Sequence, residues 1–257
     1  MSSTRSDFPK ARATELGWRR ASLLLCAHGI RGSAGIAQEH AESIAALNGF
    51  AEVTACCLNG EPGLDSALAA IEGGNCYVVP LLMAEGYTSD LLSERVLAAQ
   101  AASSASFRLC RPVGSHDGLA DLILASAESR CRSRGWALED SGLLLIGHGT
   151  TRNARSAESL RRHVARIKAR GLFAEVCYGF FDQEPGVTQA LDSMTARQRV
   201  AVGHFADAGP HGADDVARLL AGREDSVAYA GPVGREPGLA DLILDRVRQV
   251  DATTLAA

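Results

Sequence analysis

The chain repeats itself, and this duplication limits the folds that it can adopt. Residues 21–29 (Ala-Ser-Leu-Leu-Leu-Cys-Ala-His-Gly) are echoed by residues 141–149 (Ser-Gly-Leu-Leu-Leu-Ile-Gly-His-Gly), 120 positions later. The segment Gly-Leu-Ala-Asp-Leu-Ile-Leu occurs at 118–124 and again at 238–244, with the same offset of 120. A Glu-Pro-Gly motif at 61–63 recurs at 184–186, an offset of 123. This period is far longer than that of a solenoid repeat, so we predict two copies of one domain.

Within each copy, short apolar runs alternate with segments that have helical spacing. The predicted strands are 23–27, 51–58, 76–83 and 106–110, followed by 143–146, 175–181, 199–205 and 226–230. The predicted helices are 38–47, 63–71, 89–102 and 118–134, followed by 156–170, 187–195, 213–220 and 239–250. This alternation predicts an α/β fold of two similar lobes, each a parallel four-stranded sheet with helices on both faces. We predict a flexible leader at 1–20, an N-terminal lobe at 21–137 and a C-terminal lobe at 138–257, with a cleft between the lobes.

The composition argues against several classes of partner. With 26 Lys and Arg against 30 Asp and Glu, the chain has no basic excess that would suggest nucleic-acid binding. No apolar run approaches the ~20 residues of a membrane-spanning helix, and the N-terminus lacks the apolar core of a secretory signal. The seven cysteines lie mostly in apolar runs without a Cys-x-x-Cys pair. We therefore expect a cytoplasmic protein with reduced cysteines that acts as a monomer or a weak homodimer.

Two histidines of the second copy follow apolar runs directly. His148 ends the run 143–146 and is flanked by glycines, and His211 follows the run 199–205 in Ala-Gly-Pro-His. Because the carboxyl ends of parallel strands meet at one edge of a sheet, we expect the two imidazoles to lie close together. Two imidazoles that leave room for exchangeable ligands suit a divalent first-row metal ion. Taken singly, each histidine is also explained by a structural role in its turn.

The order of these motifs resembles the class II chelatases that act on sirohydrochlorin. The matching segments are Gly-His-Gly-Thr at 147–150 with Arg152 after it, Glu184-Pro185, and Gly-Pro-His at 209–211 followed by acidic residues. The resemblance covers nearly the whole chain, because both copies carry the pattern. It implies insertion of a divalent metal ion, Co²⁺ or Fe²⁺, into a tetrapyrrole held in the cleft, in cobalamin or siroheme biosynthesis. The metal ion is then a substrate, and the absence of a Gly-x-x-x-x-Gly-Lys-Ser/Thr loop fits a reaction without a nucleotide.

The resemblance also implies roles for individual residues. His148 and His211 hold the metal ion and accept the pyrrole protons, and the residues that contact the substrate are Arg152, Gly149, Thr150 and Gly209. The acidic group of the family falls on Phe181 without a gap and on Asp182 with a gap of one residue. We predict Asp182 as the third catalytic group, with Glu184 and Asp207 as alternatives.

The first copy departs from this pattern. His28 is its equivalent of His148, but Thr88 stands where the partner of His211 is expected. We therefore predict a catalytically silent first lobe in which His28 is a relic or a secondary residue of the cleft. Of the other histidines, we expect His204 to be a hydrogen-bonded core residue, His40 and His163 to face solvent from helices, and His116 to lie in a loop.

Two alternatives to a chelatase remain open from the sequence. One is a degenerate relative that binds or carries metal or tetrapyrrole without turnover, which the polar Asp207 and the silent first lobe favour. The other is an unrelated α/β protein whose histidines are structural. The sequence does not choose between cobalt, iron and nickel, nor does it identify the substituents of the macrocycle.

Overall fold

The computed structural model describes residues 18–150, 155–209 and 214–255. Its strands form two separate parallel sheets, each with four strands. The first sheet has the order β2-β1-β3-β4 and consists of β1 (Ala21–Ala27), β2 (Glu52–Cys57), β3 (Asn75–Pro80) and β4 (Ser106–Leu109). The second sheet has the order β6-β5-β7-β8 and consists of β5 (Ser141–Gly147), β6 (Glu175–Phe180), β7 (Gln198–Gly203) and β8 (Val227–Pro232). The predicted fold class is confirmed. We call residues up to 137 the first half and the remainder the second half.

Helices connect successive strands in both halves, as the alternating pattern predicts. The helices of the first half are α1 (Ile36–Ala45), α2 (Leu64–Ala69), α3 (Tyr87–Ala102) and α4 (Leu119–Arg134). Those of the second half are α5 (Arg155–Lys168), α6 (Val187–Ser193), α7 (Val216–Leu220) and α8 (Leu239–Leu255). None of the helices in the described part of the chain combines the length and apolar character needed to cross a membrane.

Each sheet is buried on both faces. Successive strand residues point to opposite sides of a sheet, and residues on both sides are buried. In the first sheet, Leu24 and Cys26 pack outward beneath α2 and α3, whereas Leu23 and Leu25 point inward. The second sheet repeats this division, with Leu144 and Ile146 on its outer face and Leu143 and Leu145 on its inner face. The inner faces of both sheets belong to one continuous apolar core. The two halves are therefore held together by shared hydrophobic burial.

The last helix of each half packs on the opposite half. Helix α4 lies against β7 and β8 of the second sheet, and α8 lies against β3 of the first sheet. Polar contacts fix α8 there, since Asp251 accepts hydrogen bonds from the Tyr77 hydroxyl at 2.5 Å and the Trp18 indole at 2.7 Å. Trp18 falls within the predicted leader, yet it is only 3 % exposed and stacks on Phe50. Residues 1–17 of that leader lie outside the described residues.

The expectation that His40 and His163 face solvent is wrong. Both are buried, and each bonds a backbone carbonyl of the other half. The ring nitrogen Nε2 of His40 lies 2.7 Å from the oxygen of Gly234, and Nε2 of His163 lies 2.8 Å from the oxygen of Gly114. These two contacts are related by the duplication, and they satisfy carbonyls in the short 3₁₀ turns 113–115 and 233–235. The faces of α1 and α5 that carry these histidines were expected to be exposed to solvent, but they form part of the contact between the halves.

Candidate functional site

A cleft of ≈ 940 Å³ opens where the two halves meet. The first half contributes His28, the segment 82–88 and Asp90 to its walls, and the second half contributes His148, residues 149–150, Ser156 and Asp182. Its walls are therefore built from loops that follow strands of both sheets and from the first turns of α3 and α5, the usual place for ligands in parallel sheets. The volume lies near the top of the roughly 300–1,000 Å³ range of small-molecule sites, so the cleft suits a large ligand.

His148 reaches the cleft from the end of β5. The strand itself is fully buried, whereas the His148 side chain is 53 % exposed. The turn depends on Gly149, whose φ of 71° is a left-handed conformation that favours glycine. A Cβ at Gly149 would also lie 2.7 Å from the Cβ of Phe180. The buried strand and the tight turn thus place the imidazole at a defined point on the wall of the cleft.

Asp182 is the carboxylate that the structure places beside His148. Its Oδ2 lies 3.1 Å from Nδ1 of His148, and its side chain is 62 % exposed. The backbone fixes this pairing, because the N–H of Asp182 donates to the carbonyl of His148 at 3.0 Å. With a hydrogen on Nδ1 facing the carboxylate, the imidazole carries its lone pair on Nε2. This carboxylate–imidazole arrangement commonly orients histidine ligands of metal ions.

The two alternative acidic residues, Glu184 and Asp207, both accept hydrogen bonds from backbone N–H groups. Glu184 accepts a hydrogen bond from the N–H of Gly186 at 3.0 Å, within the turn that precedes α6. Asp207 joins the halves: its Oδ2 accepts from the N–H of Ile36 at 2.8 Å, and its Oδ1 lies 2.7 Å from a guanidinium nitrogen of Arg235. Asp207 therefore provides an acceptor for a backbone N–H in the first turn of α1, which has no partner within the helix. Its pairing also raises the pKa of Arg235.

Of the remaining predicted site residues, Thr150 and Gly209 belong to the described part of the chain. The N–H of Thr150 donates to the side-chain oxygen of Gln183 at 3.3 Å, and this contact fixes the loop after His148. Gly209 is half-buried, and a Cβ there would lie 3.1 Å from the side chain of Ile30. His211 and Arg152 lie outside the described residues. The binding and catalytic roles of all these residues stay predictions.

The first half presents a related but altered arrangement to the same cleft. His28 follows β1 as His148 follows β5, and it is exposed. The N–H of Asn59 donates to the carbonyl of His28 at 3.0 Å, and its amide nitrogen lies 3.5 Å from Nε2 of that histidine. Asn59 thus occupies the position of Asp182, 123 residues earlier, with a neutral amide in place of a carboxylate. The sequence reasoning missed Asn59, although the 123-residue offset of the Glu-Pro motifs was the signal for it.

The first-half wall of the cleft also holds two paired carboxylates. Glu85 accepts hydrogen bonds from two nitrogens of Arg111, at 3.1 and 2.7 Å. This pairing holds the pKa of Glu85 below its ordinary value. Asp90, at the start of α3, forms an ion pair with Arg155, at the start of α5 in the second half. The Asp90–Arg155 pair therefore joins the halves beside the cleft, a contact that the sequence did not predict.

His204 is buried as expected, but it is not fully hydrogen-bonded. It follows β7, it is 6 % exposed, and its Nε2 has no partner. Its ring lies 5.5 Å from that of His163, centroid to centroid. Burial, with a smaller contribution from His163, lowers the pKa of His204 to about 3. Burial likewise lowers the pKa of His163.

Within the described ranges, no group of three or more His, Cys, Asp or Glu side chains is arranged to hold a metal ion. The pair of His148 and Asp182 supplies two donor groups of the kind that first-row metals accept. All seven cysteines are free thiols, and six of them are buried. Burial raises the pKa values of Cys76 and Cys110 to about 12, so these thiols stay protonated and inert.

Comparison with known proteins finds relatives that match most of the chain. A model of the CbiX family matches the chain twice, over residues 22–130 and 142–250. A protein of Halobacterium salinarum named probable sirohydrochlorin cobaltochelatase is 29 % identical in a gapped alignment of 269 positions, which spans 90 % of this chain and 92 % of that protein.

Solved structures share the fold. A multi-domain protein of Deinococcus radiodurans, described as similar to chelatases but with two additional novel domains, matches with a TM-score of 0.75 and 27 % identity. The match covers 88 % of this chain and 54 % of that protein, so the chain spans about half of its length. CbiX, described as the terminal enzyme for biosynthesis of siroheme in denitrifying bacteria, matches with a TM-score of 0.73 and 24 % identity, over 89 % of this chain and 98 % of that one.

Proposed function

The chain belongs to the CbiX family, and on this basis we propose that it inserts a divalent metal ion into a sirohydrochlorin-type tetrapyrrole. The ion is Co²⁺ or Fe²⁺, the pathway is cobalamin or siroheme biosynthesis, and no nucleotide is consumed. The observation that carries the proposal is the pairing of His148 and Asp182, 3.1 Å apart, on the wall of a cleft between two lobes. The Halobacterium relative, a probable sirohydrochlorin cobaltochelatase, supports the same substrate class.

The donor groups suit a metal ion that must be released. Imidazole and carboxylate bind Co²⁺ and Fe²⁺, and a site with few protein ligands leaves positions for water and for the incoming macrocycle. In our proposal, His148 and His211 hold the ion as a substrate. Asp182 orients the His148 ring through Nδ1, and Nε2 is the nitrogen that binds the ion in this proposal.

The loop after β5 and its surroundings hold the macrocycle in this proposal. Gly149 and Thr150 line the cleft and allow a planar ligand to approach the imidazole closely. Arg152 pairs with a carboxylate of the substrate, since a guanidinium binds carboxylates with two parallel hydrogen bonds. Gly209 contributes to the same surface from the segment that leads to His211.

We propose that the protein works in the cytoplasm as a monomer or a weak homodimer, with no nucleic acid or membrane as partner. Free cysteines at seven positions support a reducing compartment. The duplicated chain already supplies both walls of the cleft, so a second copy is not needed to build it.

An anaerobic absorbance assay tests the proposed function. Sirohydrochlorin is mixed with Co²⁺ or with Fe²⁺ and with the native protein, and the spectrum of the metal-free macrocycle is followed. A variant carrying His148→Ala and His211→Ala is compared with Arg130→Gln, a change at an exposed residue of α4. We expect faster insertion by the native protein and by Arg130→Gln than in buffer, and a rate near that of buffer for the double variant. The ratio of the cobalt and iron rates identifies the preferred metal.

The alternative is a protein that binds metal or tetrapyrrole without turnover. The altered pair of His28 and Asn59, with Thr88 in place of a histidine, favours it, because one of two related half-sites has lost its carboxylate. In the same assay, tight binding of Co²⁺ or of the macrocycle together with an insertion rate equal to that of buffer identifies a carrier and contradicts the chelatase.

A further inference from the structure

The proposed insertion reaction needs a base for the pyrrole protons, and the resemblance gives this role to the same two histidines, His148 and His211, that hold the metal ion. Each macrocycle must lose two pyrrole N–H protons while the metal ion gains four nitrogen ligands. His148 cannot accept these protons while it serves as a ligand. Its Nδ1 faces Asp182, 3.1 Å away, and its remaining lone pair is the one that binds the ion. The same holds for His211 in its proposed role as the second ligand, so we look for the base among the other residues that line the cleft.

We infer that His28 is this base, and that it takes the pyrrole protons from the face of the macrocycle opposite the metal ion. The inference rests on the proposed function. His28 and His148 line the same cleft from opposite halves, each at the end of the first strand of its sheet. A planar macrocycle between these walls presents one face to each imidazole.

The surroundings of His28 fit a base better than a metal ligand. Asn59, its neighbour at 3.5 Å, is a neutral amide at the position where the second half has Asp182. The other charged first-half groups that line the cleft are Glu85 and Asp90, and both are paired with arginines. The negative charge that attracts a divalent cation therefore lies beside His148. Thr88 stands at the position equivalent to His211, so the first half lacks the second imidazole of a metal site.

The neutral partner also allows the proton to leave again. When the amide is turned so that its oxygen accepts from Nε2–H, the lone pair of Nδ1 is left to take a proton, and the same hydrogen bond persists in the imidazolium. Asn59 carries no charge, so it forms no ion pair with the imidazolium of His28, whereas a carboxylate does. The exposure of His28 gives the proton a route to water.

The step balances without a further reactant. The lone pair of a ring nitrogen of His28 takes the proton of a pyrrole N–H, and the electrons of that bond stay on the pyrrole nitrogen, which then donates them to the metal ion. The imidazolium passes the proton to water and takes the second in the same way. Two protons leave and one divalent ion enters. Because the imidazolium forms across the macrocycle from the ion, its repulsion by the ion is weaker than on the same face.

Substitution of His28 tests the inference. The variants are His28→Gln and His28→Ala, with Arg130→Gln as the surface control and His148→Ala as the metal-site reference. Single-turnover insertion is followed by absorbance, and the dissociation constants of Co²⁺ alone and of metal-free sirohydrochlorin are measured separately. We expect insertion to slow by about 10²- to 10⁴-fold in both His28 variants, the usual contribution of a general base. Their affinities for Co²⁺ and for the macrocycle should stay within about threefold of the native protein, whereas His148→Ala weakens Co²⁺ binding.

The pH profile separates a base from a structural residue. Without His28, hydroxide must take the proton, so the rate of His28→Gln should rise with hydroxide concentration across the alkaline range, where the native rate does not. A His28→Gln variant that inserts metal at the native rate, that keeps the native profile at a lower rate, or that loses Co²⁺ affinity as His148→Ala does would overturn the inference. Absence of insertion by the native protein would instead contradict the proposed function.

Discussion

His204 is a histidine that the fold holds in its neutral form, and its removal should change how stability depends on pH. In the unfolded chain this side chain has the ordinary histidine pKa of 6.5, whereas burial lowers the pKa in the folded protein to about 3. Between these values the unfolded state binds more protons, so the free energy of unfolding falls as the pH drops below about 6.5.

The magnitude follows from the two pKa values. At about pH 5, the linkage relation gives a loss of about 2 kcal/mol from His204 relative to about pH 7.5, where its contribution is close to zero. His204→Leu removes the titrating group and the buried Nε2 that has no partner, at a similar side-chain volume. We therefore expect the stability difference between these two pH values to be about 2 kcal/mol smaller in the variant.

Urea denaturation of both proteins at the two pH values measures this difference directly. Phe205→Leu is the matched control, because it alters packing at the next buried residue without removing a titratable group. The control should lose stability equally at both pH values and keep the native pH dependence. His163, whose pKa burial also lowers, contributes to the pH dependence in every variant and cancels in the comparison. An unchanged pH dependence in His204→Leu would refute the reasoning.

Three further substitutions test the site and its support. Asp182→Asn should weaken Co²⁺ binding about 10- to 100-fold, as loss of a carboxylate that orients a histidine ligand does, and isothermal titration measures it. Asp207→Ala removes the acceptor for the N–H of Ile36 and should cost about 1.5–3 kcal/mol in urea denaturation. Its Co²⁺ affinity should stay native, and a lost affinity would restore Asp207 as a ligand. Gly149→Ala forces a Cβ to within 2.7 Å of Phe180 at a φ of 71°, so thermal unfolding should show a loss of about 1–3 kcal/mol, and unchanged stability would contradict the strained turn.

The sequence pointed to His148 as a site residue but left open which acidic residue lies beside it. The structure brings His148 and Asp182 together, as the resemblance suggested with a one-residue gap, but residues alone could not choose Asp182 over Phe181. The choice depends on where β6 ends, and there the N–H of Asp182 bonds the carbonyl of His148. Asp207, which the sequence offered as an alternative acidic group, accepts a hydrogen bond from the N–H of Ile36 at the start of α1, across the contact between the halves.

The order and type of the strands and helices were determined by the sequence itself. Apolar runs, helical spacing and turn residues involve only a few neighbouring positions, so the sequence alone reveals them. Because the chain is duplicated, the same order of strands and helices is predicted in both copies. The tertiary structure alone decided what depends on distant segments. His40 and His163 became interior residues because each half covers a helix of the other, and α4 and α8 settled on opposite sheets. His28 shares a cleft with His148 for the same reason, since only the packing of one half against the other brings two strand ends, 120 residues apart, to face each other.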